Sequence, residues 1–181
     1  GKDKANSVPM CGVPHHAHES YLAKLIKHNQ KIVICDQIET VEEAKKRGHK
    51  AIVKRDIIRI VTSGTLTEDN LLISNKPNFL MCIYGHDLQF SIAYSDISTG
   101  EFYYNLVNKN QLLDEINKID PSEIIVCDNI FLDHTLRPIV KAKQDIISNF
   151  PENFFNKKRA IKTFEEFFHL SYQEKLNINE N

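Results

Sequence analysis

At 181 residues and 20.9 kDa the chain has room for one large domain or two small ones, since domains run to about 100–200 residues. Hydrophobic residues at 41%, charged residues at 26% and only six Gly and six Pro belong to a folded globule and exclude a disordered tail. The net charge is −1, no apolar run approaches the roughly 18 residues of a membrane span, and the polar start Gly1-Lys2-Asp3-Lys4 is no signal peptide, so a cytoplasmic protein is expected and membrane insertion or export is not.

Residues 19–29 put Tyr21, Leu22, Leu25 and Ile26 on one stripe and Lys24, Lys27 and His28 off it, which predicts a short amphipathic helix. Lys31-Ile32-Val33-Ile34-Cys35 is β-branched and too short for a helix; it predicts a strand, and its unbroken apolar run implies burial on both faces. Thr40 and Glu43 have capping-box spacing ahead of Ala44-Lys45-Lys46-Arg47, with Gly48 placed to end that helix in a left-handed conformation. Residues 51–62 alternate as a strand, with Lys54, Asp56, Ile58 and Ile60 on one face and Val53, Arg55, Ile57, Arg59 and Val61 on the other, the second half largely buried.

Residues 63–78 hold no sustained period and many turn-formers, so they read as a linker. Beyond it, residues 79–84 and 89–107 are aromatic and β-branched with turns near Gly85-His86-Asp87 and Ser98-Thr99-Gly100, predicting three antiparallel strands in a meander. Asn108 and Gln111 are spaced to cap a helix with the stripe Leu112, Leu113, Ile116 and Ile119, stopped by Pro121. Glu123 to Cys127 reads as a fourth strand, followed by a helical stretch near residues 130–140 that Pro138 should break. Thr163 and Glu166 are spaced to cap a last helix through Phe164, Phe167, Phe168 and Leu170, and the chain is expected to stop inside a domain. Strands, then helix, then strand define a mixed α/β class.

Cutting the chain after Thr62 separates two signs of charge. Residues 1–62 hold twelve Lys/Arg against seven Asp/Glu, a formal +5, and five of the eight His; residues 63–181 hold eleven against seventeen, a formal −6. Lys45, Lys46, Arg47, Lys50, Lys54, Arg55 and Arg59 concentrate the positive charge, a density that suits a polyanion bound through its phosphates, although a solvated surface explains such a cluster equally well.

Other chemistries are less well supplied. The glycines at 1, 12, 48, 64, 85 and 100 have the spacing of neither G-x-G-x-x-G nor G-x-x-x-x-G-K-[ST], which excludes those phosphate loops. Cys11, Cys35, Cys82 and Cys127 read as reduced thiols. Cys11, His15, His16, His18 and Cys35 raise a zinc site but lack the pairings that present two ligands from one turn, so the histidines are read as leading into a helix. Asp96, Glu101, Asp128 and Asp133 raise a two-metal nuclease; against it, Asp96 is equally a turn residue and Asp128 a helix cap. Tyr103-Tyr104, Phe154-Phe155 and Phe167-Phe168 are read as core or partner contacts before base-stacking platforms.

The run Pro9-Met10-Cys11-Gly12-Val13-Pro14-His15-His16-Ala17, continuing through Tyr21-Leu22-Ala23-Lys24-Leu25, resembles the MutS family of DNA mismatch-recognition proteins. So do Ile34-Cys35-Asp36-Gln37-Ile38-Glu39, Glu43-Ala44-Lys45-Lys46-Arg47-Gly48, Arg59-Ile60-Val61-Thr62-Ser63-Gly64-Thr65-Leu66 and Asp96-Ile97-Ser98-Thr99-Gly100-Glu101. Asp36 stands where the family commonly has Glu, and Ser63 where it commonly has Pro. The resemblance implies a fragment: an α+β remnant of the mismatch-binding domain over residues 1–62, a linker over 63–78, and over 79–181 a connector domain, truncated at its C-terminus, with an RNase H-like mixed sheet and no nuclease chemistry.

The family's Phe-x-Glu wedge motif does not occur ahead of Pro9 here, and Phe150-Pro151-Glu152 and Phe164-Glu165-Glu166 lie too far downstream to serve. Backbone contacts to DNA are expected from Lys45, Lys46, Arg47, Lys50, Lys54, Arg55 and Arg59, with Met10, Gly12, Pro14 and His15 shaping the loop beside the wedge. No catalytic residue, metal or cofactor is expected in this stretch; the resemblance gives ATP and Mg²⁺ to the full-length parent. Expected partners are double-stranded DNA with mismatches, MutL, other MutS domains and a second MutS subunit, and no membrane. The acidic second unit, which should repel DNA, reads as a protein-contact surface. A stand-alone nucleic-acid-binding module and an RNase H-like metal nuclease are the competing readings.

Overall fold

The stripe and capping signals of the first sixty-two residues produce the elements they predict. The computed structural model describes residues 9–68, 71–169 and 171, and the chain divides into two units, residues 1–62 and 63–181. In the first, a 3-10 turn over His15–Ala17 leads into α1 (His18–Lys27), which buries Leu22 and Ile26, residues one turn apart. Strand β1 (Ile32–Gln37) follows. Helix α2 (Val41–Lys46) carries the reciprocal capping box: the Glu43 N–H donates to Thr40 Oγ1 at 3.2 Å and the Thr40 N–H to the Glu43 carboxylate at 2.8 Å. Gly48, at φ +140°, donates its N–H to the Lys45 carbonyl and closes the helix.

Strand β2 (Arg55–Val61) pairs antiparallel with β1. It departs from the expected alternation. Ile34 faces Arg59 but Cys35 faces Ile57, so Ile58 is an extra residue. Such a bulge switches the faces on its two sides. Arg59 therefore shares the half-buried face of Ile32 and Ile34, while Arg55, opposite Gln37, projects from the other; the two arginines do not lie on one face as the plain alternation predicts. Burial on both faces is also overturned. Val33, Ile57, Ile58 and Ile60 are 50%, 55%, 59% and 58% exposed, because a two-stranded sheet offers cover to one face only.

The second unit is built on β3 (Phe79–His86), β4 (Gln89–Asp96), β5 (Glu101–Asn108), α3 (Leu112–Ile119), β6 (Glu123–Cys127), α4 (Asp128–Leu132), α5 (Arg137–Ala142), β7 (Ile147–Phe150) and α6 (Lys157–Phe168). Its sheet runs in the order β5-β4-β3-β6-β7. The meander pairs are antiparallel, and β3–β6 and β6–β7 are parallel. This is the mixed α/β sheet expected of an RNase H-like unit. Met81, Ile83, Phe90, Ile92, Ile124 and Val126, alternate residues of neighbouring strands, fill one face together with Leu112 and Ile116 of α3 and with Ile130 and Leu136. Gly85 sits at φ +154°, where an added Cβ would lie 2.4 Å from the Gln89 carbonyl oxygen, so the β3–β4 turn demands glycine.

Several sequence expectations need correction here. Asn108 and Gln111 do not cap α3: their side chains meet each other at 3.4 Å, and a 3-10 turn over Lys109–Gln111 intervenes. Pro138 starts α5 instead of breaking a helix, since a proline in the first turn has no hydrogen bond to lose. Asp128 is the first residue of α4 and not its cap; its carboxylate accepts from Asn149 at 2.8 Å. Helix α6 begins well before Thr163, because the Asn156 side chain accepts the Arg159 N–H and caps it there. Leu170, predicted in that helix, lies outside the described residues.

Residues 63–68 and 71–78 contain no helix or strand but are fastened to the second unit. Gly64 donates to the buried carboxylate of Glu123 at 3.2 Å, which also takes the Ser148 hydroxyl at 2.6 Å. Asn78 donates its N–H to Asp96 at 2.8 Å and its side-chain amide to the Ser63 carbonyl at 3.0 Å, and Leu66 is buried. Asp96 is the turn residue expected: it accepts the N–H and hydroxyl of Ser98 at 2.9 and 2.6 Å. Burial pushes its carboxyl up, but the donors from Ser98, Asn78 and Thr99 together outweigh that and hold it below its ordinary value.

Candidate nucleic-acid interface

Six of the seven clustered basic residues lie on one stretch from the last turn of α2 to the first residue of β2, and Arg59 lies further along that strand. Lys45 and Lys46 close α2, where cations also complement the helix C-terminus. Lys50 follows the Gly48 turn, Lys54 precedes β2 and Arg55 opens it. All five side chains are exposed. The remaining two are placed differently. Arg47 forms an ion pair with Glu39 and also donates to the Ile52 carbonyl at 3.2 Å. The same Glu39 carboxylate accepts the Lys54 N–H at 2.6 Å. Arg47 and Glu39 thus pin the arm of residues 47–54 against the end of β1, an arrangement that nothing in the residue order announces beyond opposite charges eight residues apart. Arg59 is half-buried.

The loop ahead of α1 is open. Met10 is 94% exposed, and Gly12, Pro14 and His15 are exposed as well. The Pro14 carbonyl accepts the Ala17 N–H at 2.9 Å, and a His18 ring nitrogen lies 2.9 Å from the His15 carbonyl, so the histidines lead into the helix as read from the sequence. Electrostatically the stretch can attract and hold a phosphate backbone.

Among the described residues no three His, Cys, Asp or Glu side chains cluster as metal ligands would, and no helix is long and apolar enough to cross a membrane. Of the aromatic pairs, Phe155 stacks on Tyr84 with ring centroids 5.5 Å apart, and Tyr103 on Tyr94 at 5.1 Å. Tyr104, Phe154 and Phe167 are exposed, contrary to a core role for every member.

A cationic helix–strand arm on one unit, followed by a mixed-sheet unit of opposite charge, is the layout of a chain built from two unlike domains. Residues 1–70 match the family MutS domain I, and residues 78–181 match MutS domain II. The chain belongs to the MutS family. It is 41% identical over 168 residues to the DNA mismatch repair protein MutS of Ehrlichia chaffeensis, covering 93% of this chain and 21% of that protein. The corresponding protein of Wolbachia pipientis wMel is 39% identical over 168 residues, 93% of this chain and 20% of the relative. That of Orientia tsutsugamushi (strain Ikeda) is 39% identical over 171 residues, 94% and 19%. The chain therefore spans about a fifth of the length of these relatives.

Proposed function

We propose that this chain serves DNA mismatch repair by gripping the duplex backbone through its first unit and relaying the bound state through its second. In this reading residues 1–62 are the C-terminal part of the mismatch-binding domain, 63–78 the link and 79–181 the connector. The observation that carries it is the run of exposed cations Lys45, Lys46, Lys50, Lys54 and Arg55 on a stretch matched to MutS domain I. Arg47 holds this arm to Glu39. Met10, Gly12, Pro14 and His15 form the loop that lies beside the mispaired base.

The whole protein, in the same reading, is a cytoplasmic dimer that surveys mismatched duplexes and signals to MutL. ATP and Mg²⁺ belong to that protein; the glycine spacing of these 181 residues does not fit a phosphate loop. The test is a fluorescence anisotropy titration with matched and mismatched duplexes. Because no Phe-x-Glu motif precedes Pro9 in this sequence, binding should be weak, steeply salt-dependent and without mismatch preference. Reversing Lys45, Lys46, Lys50, Lys54 and Arg55 to Glu should abolish it. A several-fold mismatch preference, or binding that survives the reversal, would overturn the assignment. Cleavage of the duplex in Mg²⁺, lost in Asp96→Asn, would establish the nuclease reading instead.

A further inference from the structure

The second unit carries a formal −6, yet residues 130–144 reverse its sign, with Arg137, Lys141 and Lys143 against Asp133 alone. This stretch runs from the last turn of α4 through α5, and the two helices, α4 with Asp128 at its start, frame an open groove of about 980 Å³ lined by Phe131, Leu132, His134, Arg137, Val140 and Lys141, among others. The frame is anchored from below, since Ile130 and Leu136 are buried in the core. What faces outward is apolar: Leu132 is 70% exposed, and Phe131 is exposed beside it.

The turn at the head of the groove is built and fixed. The Asp133 carboxylate accepts the Thr135 N–H at 2.7 Å and its hydroxyl at 2.6 Å, and the Lys109 ammonium reaches the same hydroxyl oxygen. Those donors, with Lys109 and His134 nearby, hold the Asp133 carboxyl below its ordinary value. The carboxylate among the lining residues is thus already engaged. Arg137 and Lys141, four residues apart on one side of α5, are exposed and form no salt bridge among the described residues.

An apolar floor with cations along its rim selects a partner with the matching pattern. We propose that this groove docks an amphipathic peptide segment that presents a Leu- or Phe-type anchor to Phe131, Leu132 and Val140 and flanks it with Asp or Glu facing Arg137 and Lys141. A nucleic-acid backbone answers the cations but leaves the apolar floor uncovered, and the acidic remainder of the unit opposes it, so a protein segment is the better fit. The proposal stands on this groove alone and not on the DNA-binding reading of the first unit.

A random peptide library displayed on phage, selected on the whole 181-residue chain, tests it directly. Enriched peptides are then titrated by fluorescence anisotropy against the chain and against two variants, Arg137→Glu with Lys141→Glu, and Leu132→Asp. All three positions are exposed, and far-ultraviolet circular dichroism verifies each fold. Expected is an enriched pattern of acidic residues around an apolar anchor, weakened about tenfold or more by either variant and not displaced by unlabelled duplex DNA. No enrichment above a blank support, an enriched basic pattern, affinity unmoved by both variants, or displacement by duplex DNA would each overturn the proposal.

Discussion

Strands of similar apolar content meet different fates in the two units. Ile32 to Ile34 and Ile57 to Ile60 are as β-branched as Ile124 to Val126, yet Val33, Ile57, Ile58 and Ile60 stay exposed while Ile124 and Val126 are almost fully buried. The difference is the number of covering layers. Strand β6 lies inside a five-stranded sheet with α3 and α4 on its core face, whereas β1 and β2 form a two-stranded sheet with one face open. Apolar content thus predicts that a segment wants cover; the elements available decide whether it has any.

The sharpest way to break this comparison is to truncate one isoleucine in each unit. Ile92→Ala removes a side chain with no exposed surface from the core and should cost about 3–4 kcal/mol. Ile60→Ala on the open face should change stability by no more than about 0.5 kcal/mol. Urea unfolding followed by circular dichroism measures both, and equal costs would mean that the open face is covered in solution.

The cysteines divide along the same line. Cys11 and Cys35 are exposed, while Cys82 is half-buried and Cys127 buried. Burial first, then the neighbouring Cys127, push the Cys82 thiol up to about 11, and burial likewise raises Cys127. Iodoacetamide at pH 8 should therefore alkylate Cys11 and Cys35 roughly a hundredfold faster than the other two, since thiolate and access are both required. Peptide mass spectrometry over time reads the order. Next in size is Gly64→Ala. Its Cβ would lie 2.8 Å from both Glu123 Cβ and Leu80 Cδ1, so the clasp on Glu123 must shift, at about 1–3 kcal/mol. Loss of protection of the Gly64 clasp in hydrogen exchange, without loss in the first unit, would show the segment 63–78 to be held by the second unit alone.

Legibility followed the range of the interactions. Of the signals complete within a few residues, the Thr40–Glu43 box, the Gly48 stop and the meander turns form as expected, whereas the cap spacings at Asn108–Gln111 and Thr163–Glu166 do not. Features that depend on a partner far along the chain have no such signal. The bulge at Ile58 exists only in the register with β1, and the carboxylates of Glu39 and Glu123 find donors that spacing does not announce. The short β7 strand, Ile147–Phe150, carries no strand signal of its own, and its pairing to β6 supplies what its sequence lacks. For the cationic arm, residue type marked the cations, but only the fold separated Lys45, Lys46, Lys50, Lys54 and Arg55 from Arg47, exposed but tied to Glu39, and Arg59, turned to the half-buried face. Pro138 was misread for a related reason, as its effect depends on where in the helix it falls.

Acid provides the smallest and most even-handed comparison. Each unit holds a carboxyl below its ordinary value. In the first unit the Thr40 N–H and hydroxyl do this to Glu43. In the second, donors from Ser98, Asn78 and Thr99 do it to Asp96 against the opposing effect of burial. A lowered folded-state pKa means that the unfolded chain takes up the proton first, so each contribution is complete above the unfolded-state value of about 4 and fades as pH falls through the folded-state one. Asp96→Asn and Glu43→Gln should each flatten the loss of stability below about pH 4 while lowering stability at neutral pH. Asp96 is nearly inaccessible and its oxygens meet donors from three residues, whereas the Glu43 box is open to water and screened. The Asp96 variant should therefore show the larger flattening in thermal melts between pH 3 and pH 7. A larger effect for Glu43 would mean that local capping outweighs the buried turn in holding this chain together.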